Sequence, residues 1–392
     1  MLYVGIDVAK RKHDCFIMDE HGETLEDVFT IQNSREGFEE LRNRIESHVP
    51  CPSPGNTIVG LEATGHYSDN IVGFLRKIGL PPIVLNPLRV SLCQKSQSLR
   101  KTRTDKIAAR FIAKMVMAEG LEPHLGQSYH RDELKSLTRY RQRMVKARST
   151  LKVSYDRLLT ICFPELEGFV GDTLGATMKK LLLEFPSARA IAGCHATRLA
   201  NLAAGHSRGR YKKEWAVRLK ELAKGSIGTH SPAKAFELQQ TIRQIMYLDR
   251  DIEMVEKDIE AYVMMSGTTL TTIRGISYTF AAIIIAEIGD IFRFGSPGKL
   301  QAFAGLEPTR YQSGQYASNK DVMVKRGSKY LRWALVMAAR SVSQHDSAFR
   351  EYLGSKLAEG KHYNCAMGHV AKKLIRLVYH LMATGEDYQA KA

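Results

Sequence analysis

The sequence predicts a three-part chain: an α/β domain, a middle built on two long helices, and a mostly helical C-terminal part. Three observations carry that expectation. Short apolar runs rich in β-type residues recur through the opening of the chain, each closed by a turn signal. Two long stretches, from Arg131 and from Pro232, then keep apolar residues at seven-residue spacing. From Leu270 onward the pattern becomes short apolar helices separated by glycine-centred turns.

Composition narrows the class. The chain has 392 residues, 44% hydrophobic and 25% charged, which is globular rather than disordered and long enough for about two or three domains. No apolar run reaches the ~18 residues of a membrane span. No basic segment precedes an apolar one at the N-terminus, so a secretory leader is not expected. The six cysteines, at positions 15, 51, 93, 162, 194 and 365, have neither CxxC nor zinc spacing, and they read as free thiols in a reducing cytoplasm. Lys plus Arg number 57 against 41 acids, a formal charge of +16. A polyanionic partner, nucleic acid most simply, is implied, with binding that falls steeply with salt.

In order, Tyr3-Val4-Gly5-Ile6-Asp7-Val8 reads as a buried strand interrupted by one acid. Lys12 to Asp19 is a second strand turning at Glu20-His21-Gly22, and Thr24 to Ile31 a third. Ser34 caps a helix whose Phe38, Leu41 and Ile45 share a face. After a Pro/Gly/Ser loop, Thr57 to Glu62 is another strand ending in an acid. Tyr67 to Ile78 is a helix, Pro82 to Pro87 a strand, and a helix begins near Thr104.

An ionised carboxylate in a buried strand is costly unless compensated, and a hard cation such as Mg²⁺ suits oxygen donors. The order β-β-β-α-β-α-β-α, with Asp7 on the first strand and Glu62 on the fourth, is the layout of the RNase H-like (RuvC-like) fold. There the two strands lie side by side. Asp105, near the last helix start, is the third candidate acid, beside the basic run Arg100, Lys101 and Arg103. Carboxylates converging from separate elements fit a site that places Mg²⁺ or Mn²⁺ on a phosphodiester.

The first long helix carries Leu137, Met144, Leu151 and Leu158 at a positions and Tyr140, Ala147, Ser154 and Ile161 at d. The second carries Leu238, Ile245, Ile252 and Ile259, then Thr241, Leu248, Val255 and Tyr262. These coiled-coil seams predict an intramolecular pair, a dimer contact, or both. Between them lies a basic, Gly-rich insertion in which Arg208, Arg210, Lys212 and Lys213 stand among aromatics, a combination suited to phosphate contact with base stacking. Near Gly275 the short helices resemble a helix-hairpin-helix unit, which offers backbone amides to phosphates. Expected boundaries are 1–125, 126–265 (insertion about 164–231) and 266–392.

Several short marks together carry a resemblance: Gly5-Ile6-Asp7-Val8-Ala9-Lys10, Leu61-Glu62-Ala63-Thr64-Gly65, Thr104-Asp105-Lys106-Ile107, Ala286-Glu287-Ile288-Gly289-Asp290, Phe303-Ala304-Gly305-Leu306, Gln312-Ser313-Gly314 and Lys325-Arg326-Gly327. Over nearly its whole length the chain resembles insertion-sequence transposases of the IS110 type, described as bridge-RNA-guided serine recombinases. That resemblance implies a DEDD-type RuvC-like domain joined through a coiled coil to a transposase domain with a nucleophilic serine. It also implies a composite active site and a structured guide RNA that pairs with target and donor DNA. Dimers assembling into a tetramer, in a bacterial or archaeal cytoplasm, belong to the same implication.

Carried onto this chain, Asp7, Glu62 and Asp105 match three of the four acids and Ser313 matches the nucleophile. Arg310, Lys325, Arg326 and Lys329 stand where they can hold phosphates. The fourth acid would sit three residues after Asp105, where this chain has Ala108, so its metal site is expected to be weakened. Arg274 replaces the proline of many relatives, with little consequence expected. From the residues alone Ser313-Gly314 is an ordinary turn dipeptide. Three other readings stay open. They are a Holliday-junction-resolvase-like nuclease using water, an RNA/DNA-binding copy without cleavage, and an actin-like sugar kinase. The last is disfavoured by charge and by the lack of a second phosphate loop.

Overall fold

The computed structural model describes residues 1–62, 65–85, 90, 105–118, 120, 129–207, 209–308, 312–313, 316–317 and 323–390. They form two compact units, Met1–Gln127 and Ser128–Ala392.

The first unit is built on a mixed sheet of β1 (Leu2–Val8), β2 (Lys12–Asp19), β3 (Thr24–Gln32), β4 (Thr57–Glu62) and β5 (Ile83–Leu85), in the order β3-β2-β1-β4-β5. β1 pairs antiparallel with β2 and parallel with β4. Helices pack on both faces, and the central strands β1 and β4 accordingly read as nearly continuous apolar runs. On one face Val4, Ile6, Val59 and Leu61 pack with Phe38, Leu41 and Ile45 of α1 (Arg35–His48) and Ile71 and Leu75 of α2 (Asp69–Lys77). The Ser34 hydroxyl caps α1 by accepting from the Gly37 amide. On the other face lies α3 (Asp105–Ala118), whose Ala109 and Ala113 pack on Phe16 and Met18. This mixed sheet between helices is compatible with the RNase H-like expectation.

In the second unit α4 (Tyr129–Cys162) and α10 (Pro232–Met265) lie antiparallel. Ion pairs Arg141–Glu256, Arg148–Asp249 and Arg157–Glu237 run in opposite directions along them. The a positions of α10 are all buried, Leu238, Ile245, Ile252 and Ile259 alike. On α4 the expected d row is corrected. Tyr140 is 44% exposed and Ala147 is exposed as well, while Leu134, Thr138, Tyr155 and Cys162 turn inward with Met144 and Leu158. A 3.6-residue helix drifts against a strict heptad, so a seven-residue repeat need not stay on the buried line.

Each end of this pair carries a core. At one end α5 (Leu166–Phe169), α6 (Ala176–Glu184), α7 (Ala188–Gly193), α8 (Ala196–Ser207) and α9 (Lys213–Lys224) surround Leu158, Leu181, Leu199, Leu219 and Leu238. The basic insertion is thus a helical layer with its own packing. At the other end α11 (Tyr278–Ile288), α12 (Pro297–Ala304), α13 (Lys329–His345), α14 (Ser347–Ala358) and α15 (Tyr363–Thr384) close on Ile259, Ile284, Leu335 and Leu374. Gly275, with φ of 100°, has its Cα against the backbone of α13; a Cβ there would stand 2.8 Å from the Val342 nitrogen. Close approach to α13 therefore requires this glycine. Among the described residues no helix is long and apolar enough to cross a membrane.

Candidate active site

Side chains alternate along β1, so Tyr3, Gly5 and Asp7 share the face under α3. Along β4, Ile58, Gly60 and Glu62 do the same. The two glycines admit the helix. A Cβ on Gly5 would lie 2.1 Å from the Ala109 carbonyl oxygen, and one on Gly60 2.4 Å from Val116 Cγ2. Met117, near the end of α3, lies beside Gly22 in the turn after β2, so α3 runs opposite to β1. Its first residue, Asp105, is thereby at the sheet edge where β1 ends. The register of β1 and β4 runs to Ile6 with Leu61, and the next step carries Asp7 and Glu62 on neighbouring strands. Both are half-buried.

Asp14 was not singled out by the sequence. It is 7% exposed, directly opposite Asp7 in the β1–β2 register, and accepts a hydrogen bond from the Thr30 hydroxyl. Its signal was an acid in phase with Phe16 and Met18 on one strand face. Acids opposite each other on a strand pair repel, a tension that a bound cation relieves. The carboxylate donors of Asp7 and Glu62 suit Mg²⁺. The side chains of Asp105, Lys106 and Ile107 lie outside the described residues, and among those described no group of three acids, histidines or cysteines is arranged to hold a metal. Ala108 is half-buried beside the fully buried Ala109.

Ser313 lies on β6 (Gln312–Ser313), paired with β7 (Tyr316–Ala317) so that Ser313 faces Tyr316 in the register. Its side chain is outside the described residues. Pro308 bridges to Met323 at the base of this hairpin. The returning limb is tightly constrained. Lys325 has φ of 53°, a region L-residues rarely occupy. Gly327 has φ of 108° and leaves no room for a Cβ, which would stand 2.0 Å from the Phe303 carbonyl oxygen. The Ser328 amide donates to that same carbonyl at 3.0 Å.

Ser328 also donates through its hydroxyl to Glu287 at 2.7 Å. Glu287, on the apolar helix α11, is 4% exposed and takes a two-point contact from Arg139 of α4, at 2.8 and 3.2 Å. The Arg139 guanidinium lies 4.7 Å from the Tyr330 ring centroid. One carboxylate thus ties α4, α11 and the start of α13 together below the serine hairpin. The sequence flagged Glu287 within a family mark but gave it no task; a lone acid in Tyr278–Ile288 was the available signal. Replacing Glu287 by alanine leaves the Arg139 side chain, 37% exposed, and the Ser328 hydroxyl without their shared acceptor, and a loss of about 1–3 kcal/mol is expected. A denaturant midpoint unchanged from the parent would refute that assignment.

The candidate phosphate contacts divide. Arg100, Lys101, Arg103, Arg208 and Arg310 lie outside the described residues. Arg210, Lys212 and Lys213 are exposed at the start of α9, with Tyr211 stacked on Trp215 at 4.4 Å. Lys325, Arg326 and Lys329 are exposed at the foot of the serine hairpin.

Two family models match the chain. One, for DEDD transposases of the IS110 type, covers residues 4–164, and the other, described as transposase IS116/IS110/IS902 family, covers residues 267–354. The transposase for insertion sequence element IS1111A of Coxiella burnetii is 24% identical, across 99% of this chain and 92% of its own length. The pilin gene-inverting protein of Moraxella bovis is also 24% identical, across 99% of this chain and 98% of its own.

Proposed function

This chain belongs to the IS110 family of insertion-sequence transposases and is a DNA transposase/recombinase; on that premise we propose that it cleaves and rejoins DNA through a phosphoserine intermediate at Ser313, guided by a structured RNA. Asp7, Glu62 and Asp105 are the acids of its metal site in this reading.

The observation that carries the proposal is the shared sheet edge of the N-terminal unit. Asp7 and Glu62 sit on neighbouring strand ends, under a helix that starts at Asp105. In the proposed step the Ser313 hydroxyl oxygen attacks phosphorus, the bond to one sugar oxygen breaks, and that oxygen leaves as a hydroxyl while the serine proton is released. The phosphoserine ester keeps the energy of the broken bond, so a hydroxyl from another strand reverses the attack and reseals without ATP. Mg²⁺ or Mn²⁺, when bound by the acids, supplies charge stabilisation at the phosphoryl oxygens. Lys325, Arg326 and Lys329 contribute cations that hold the strand backbone. Basic charge, +16 over the chain, supports nucleic-acid partners.

The test incubates the chain and its Ala108→Asp variant with paired target and donor DNA, Mg²⁺, and RNA copied from the element's flanks. A covalent DNA adduct on denaturing gels is expected, stronger with Ala108→Asp because a fourth carboxylate completes the acid set. It should disappear without RNA or with a chelator, and its peptide should map to Ser313. Free nicks with no adduct in either protein would instead establish the resolvase-like reading, in which water attacks.

A further inference from the structure

Besides the acids and the serine hairpin, the C-terminal unit holds two cations that the proposed mechanism does not use. Lys135 stands one helical turn before Arg139 on α4, so both project from one face. Arg293 lies in the turn after α11, with its guanidinium 4.5 Å from the Phe294 ring centroid and 4.7 Å from that of Phe303. Phe303 is the residue whose carbonyl receives the Ser328 amide, which places Arg293 at the foot of the hairpin bearing Ser313. Among the described residues neither Lys135 nor Arg293 has a carboxylate within ion-pair distance. Arg139 differs, since Glu287 occupies it.

We propose that Lys135 and Arg293 form a phosphodiester-binding site at the foot of the Ser313 hairpin, holding the backbone of the DNA strand on which the enzyme acts.

Three observations point to an anion. Lys135 is half-buried and Arg293 exposed, and among the described residues neither has a carboxylate at ion-pair distance, so both cations are open to a bound anion. Burial holds the Lys135 ammonium below the ordinary lysine range, with Arg139 and Arg293 lowering it further while Glu287 and Asp132 oppose them. Burial likewise lowers Arg293, against the pull of Asp290 and Glu287. The Arg293 guanidinium lies against two aromatic rings, and the residue stays exposed to an incoming phosphate. The neighbouring Lys329 ammonium, 5.1 Å from the Tyr330 ring that Arg139 also covers, extends the cationic surface toward the hairpin. Arg in particular suits phosphate oxygens because its planar fork donates two parallel hydrogen bonds.

The site rests on the reading of the chain as an enzyme acting on DNA, but not on Ser313 being the nucleophile. The full-length protein is titrated with labelled mixed-sequence duplex DNA, and separately with a labelled RNA stem-loop, across a salt series. Lys135→Gln and Arg293→Gln are each expected to weaken DNA binding by about 3- to 10-fold and to lower the log–log salt slope by about 1. The double variant should lose about 2. Lys257→Gln, an exposed lysine paired with Glu253 on α10, is the control and should leave the slope unchanged. The charge-keeping pair Lys135→Arg and Arg293→Lys should restore the slope, which separates lost charge from lost fold.

A double variant with the parent's affinity and slope overturns the site, and so does a charge-keeping pair that falls as far. Loss confined to the RNA probe keeps a phosphate site but assigns its strand to RNA, overturning the DNA assignment. Ser313→Ala should bind with the parent's slope. A failed adduct assay with that slope intact therefore sinks only the nucleophile, and an unchanged slope in the double variant beside a normal adduct sinks only this site.

Discussion

Ser313→Ala, made in the Ala108→Asp background, is expected to abolish both the covalent protein–DNA adduct and strand joining, by on the order of 10⁴-fold or more. In a covalent mechanism the nucleophile has no substitute, because water attack at the same phosphorus discards the ester that drives resealing. The effect should fall on chemistry alone. Ser313 belongs to a two-stranded hairpin whose base is held by the Pro308–Met323 bridge and by Gly327 and Ser328 against Phe303, so removing one hydroxyl leaves those anchors in place. DNA affinity and the unfolding midpoint should match the parent. Nicking that survives at the parent's rate would assign Ser313 a structural place in the hairpin and make water the nucleophile.

Gly5→Ala is expected to disable the N-terminal unit without touching an acid. The added methyl would sit 2.1 Å from the Ala109 carbonyl oxygen and 2.6 Å from the Ala113 amide nitrogen. Both are backbone atoms of α3 and cannot rotate away, so the helix must lift from the sheet. Ala109 and Ala113 then lose their packing on Phe16 and Met18, and Asp105 moves away from the edge occupied by Asp7 and Glu62. A cost of about 3 kcal/mol or more follows from overpacking of this kind. Loss of Mg²⁺-dependent cleavage should accompany it. Gly73→Ala is the comparison. That glycine lies within α2 with nothing within 4 Å of its would-be Cβ, so alanine should stabilise by about 0.5–1 kcal/mol. Equal stability for Gly5→Ala and the parent would mean that α3 does not rest on β1 as described.

Much of the architecture was legible because its determinants are local. The apolar run interrupted by Asp7 and the run to Glu62 gave two strands, and Ser34 followed by Phe38, Leu41 and Ile45 gave a capped helix. The second long helix begins at Pro232 as expected, where the Ser231 hydroxyl caps it and proline occupies the first turn. The d row of α4 failed at Tyr140 and Ala147, because a strict heptad and a 3.6-residue helix part company over several turns. Asp14 escaped notice because an acid near a strand start has no signature until its cross-strand partner is known. Glu287 was visible only as a family mark, since its partners Arg139 and Ser328 lie 148 and 41 residues away.

The sequence by itself determined the order of elements, the basic character, the family marks and the candidate acids and serine. These follow from composition, periodicity and short-range capping, which involve residues a few positions apart. Only the tertiary structure decided that Asp7, Asp14 and Glu62 share one sheet face, that α4 and α10 pair antiparallel, and that Glu287 is gripped by Arg139 while Lys135 and Arg293 have no ion-pair partner among the described residues. Register, burial and the pairing of distant charges are set by which surfaces meet when the chain closes on itself, and no local pattern encodes that meeting.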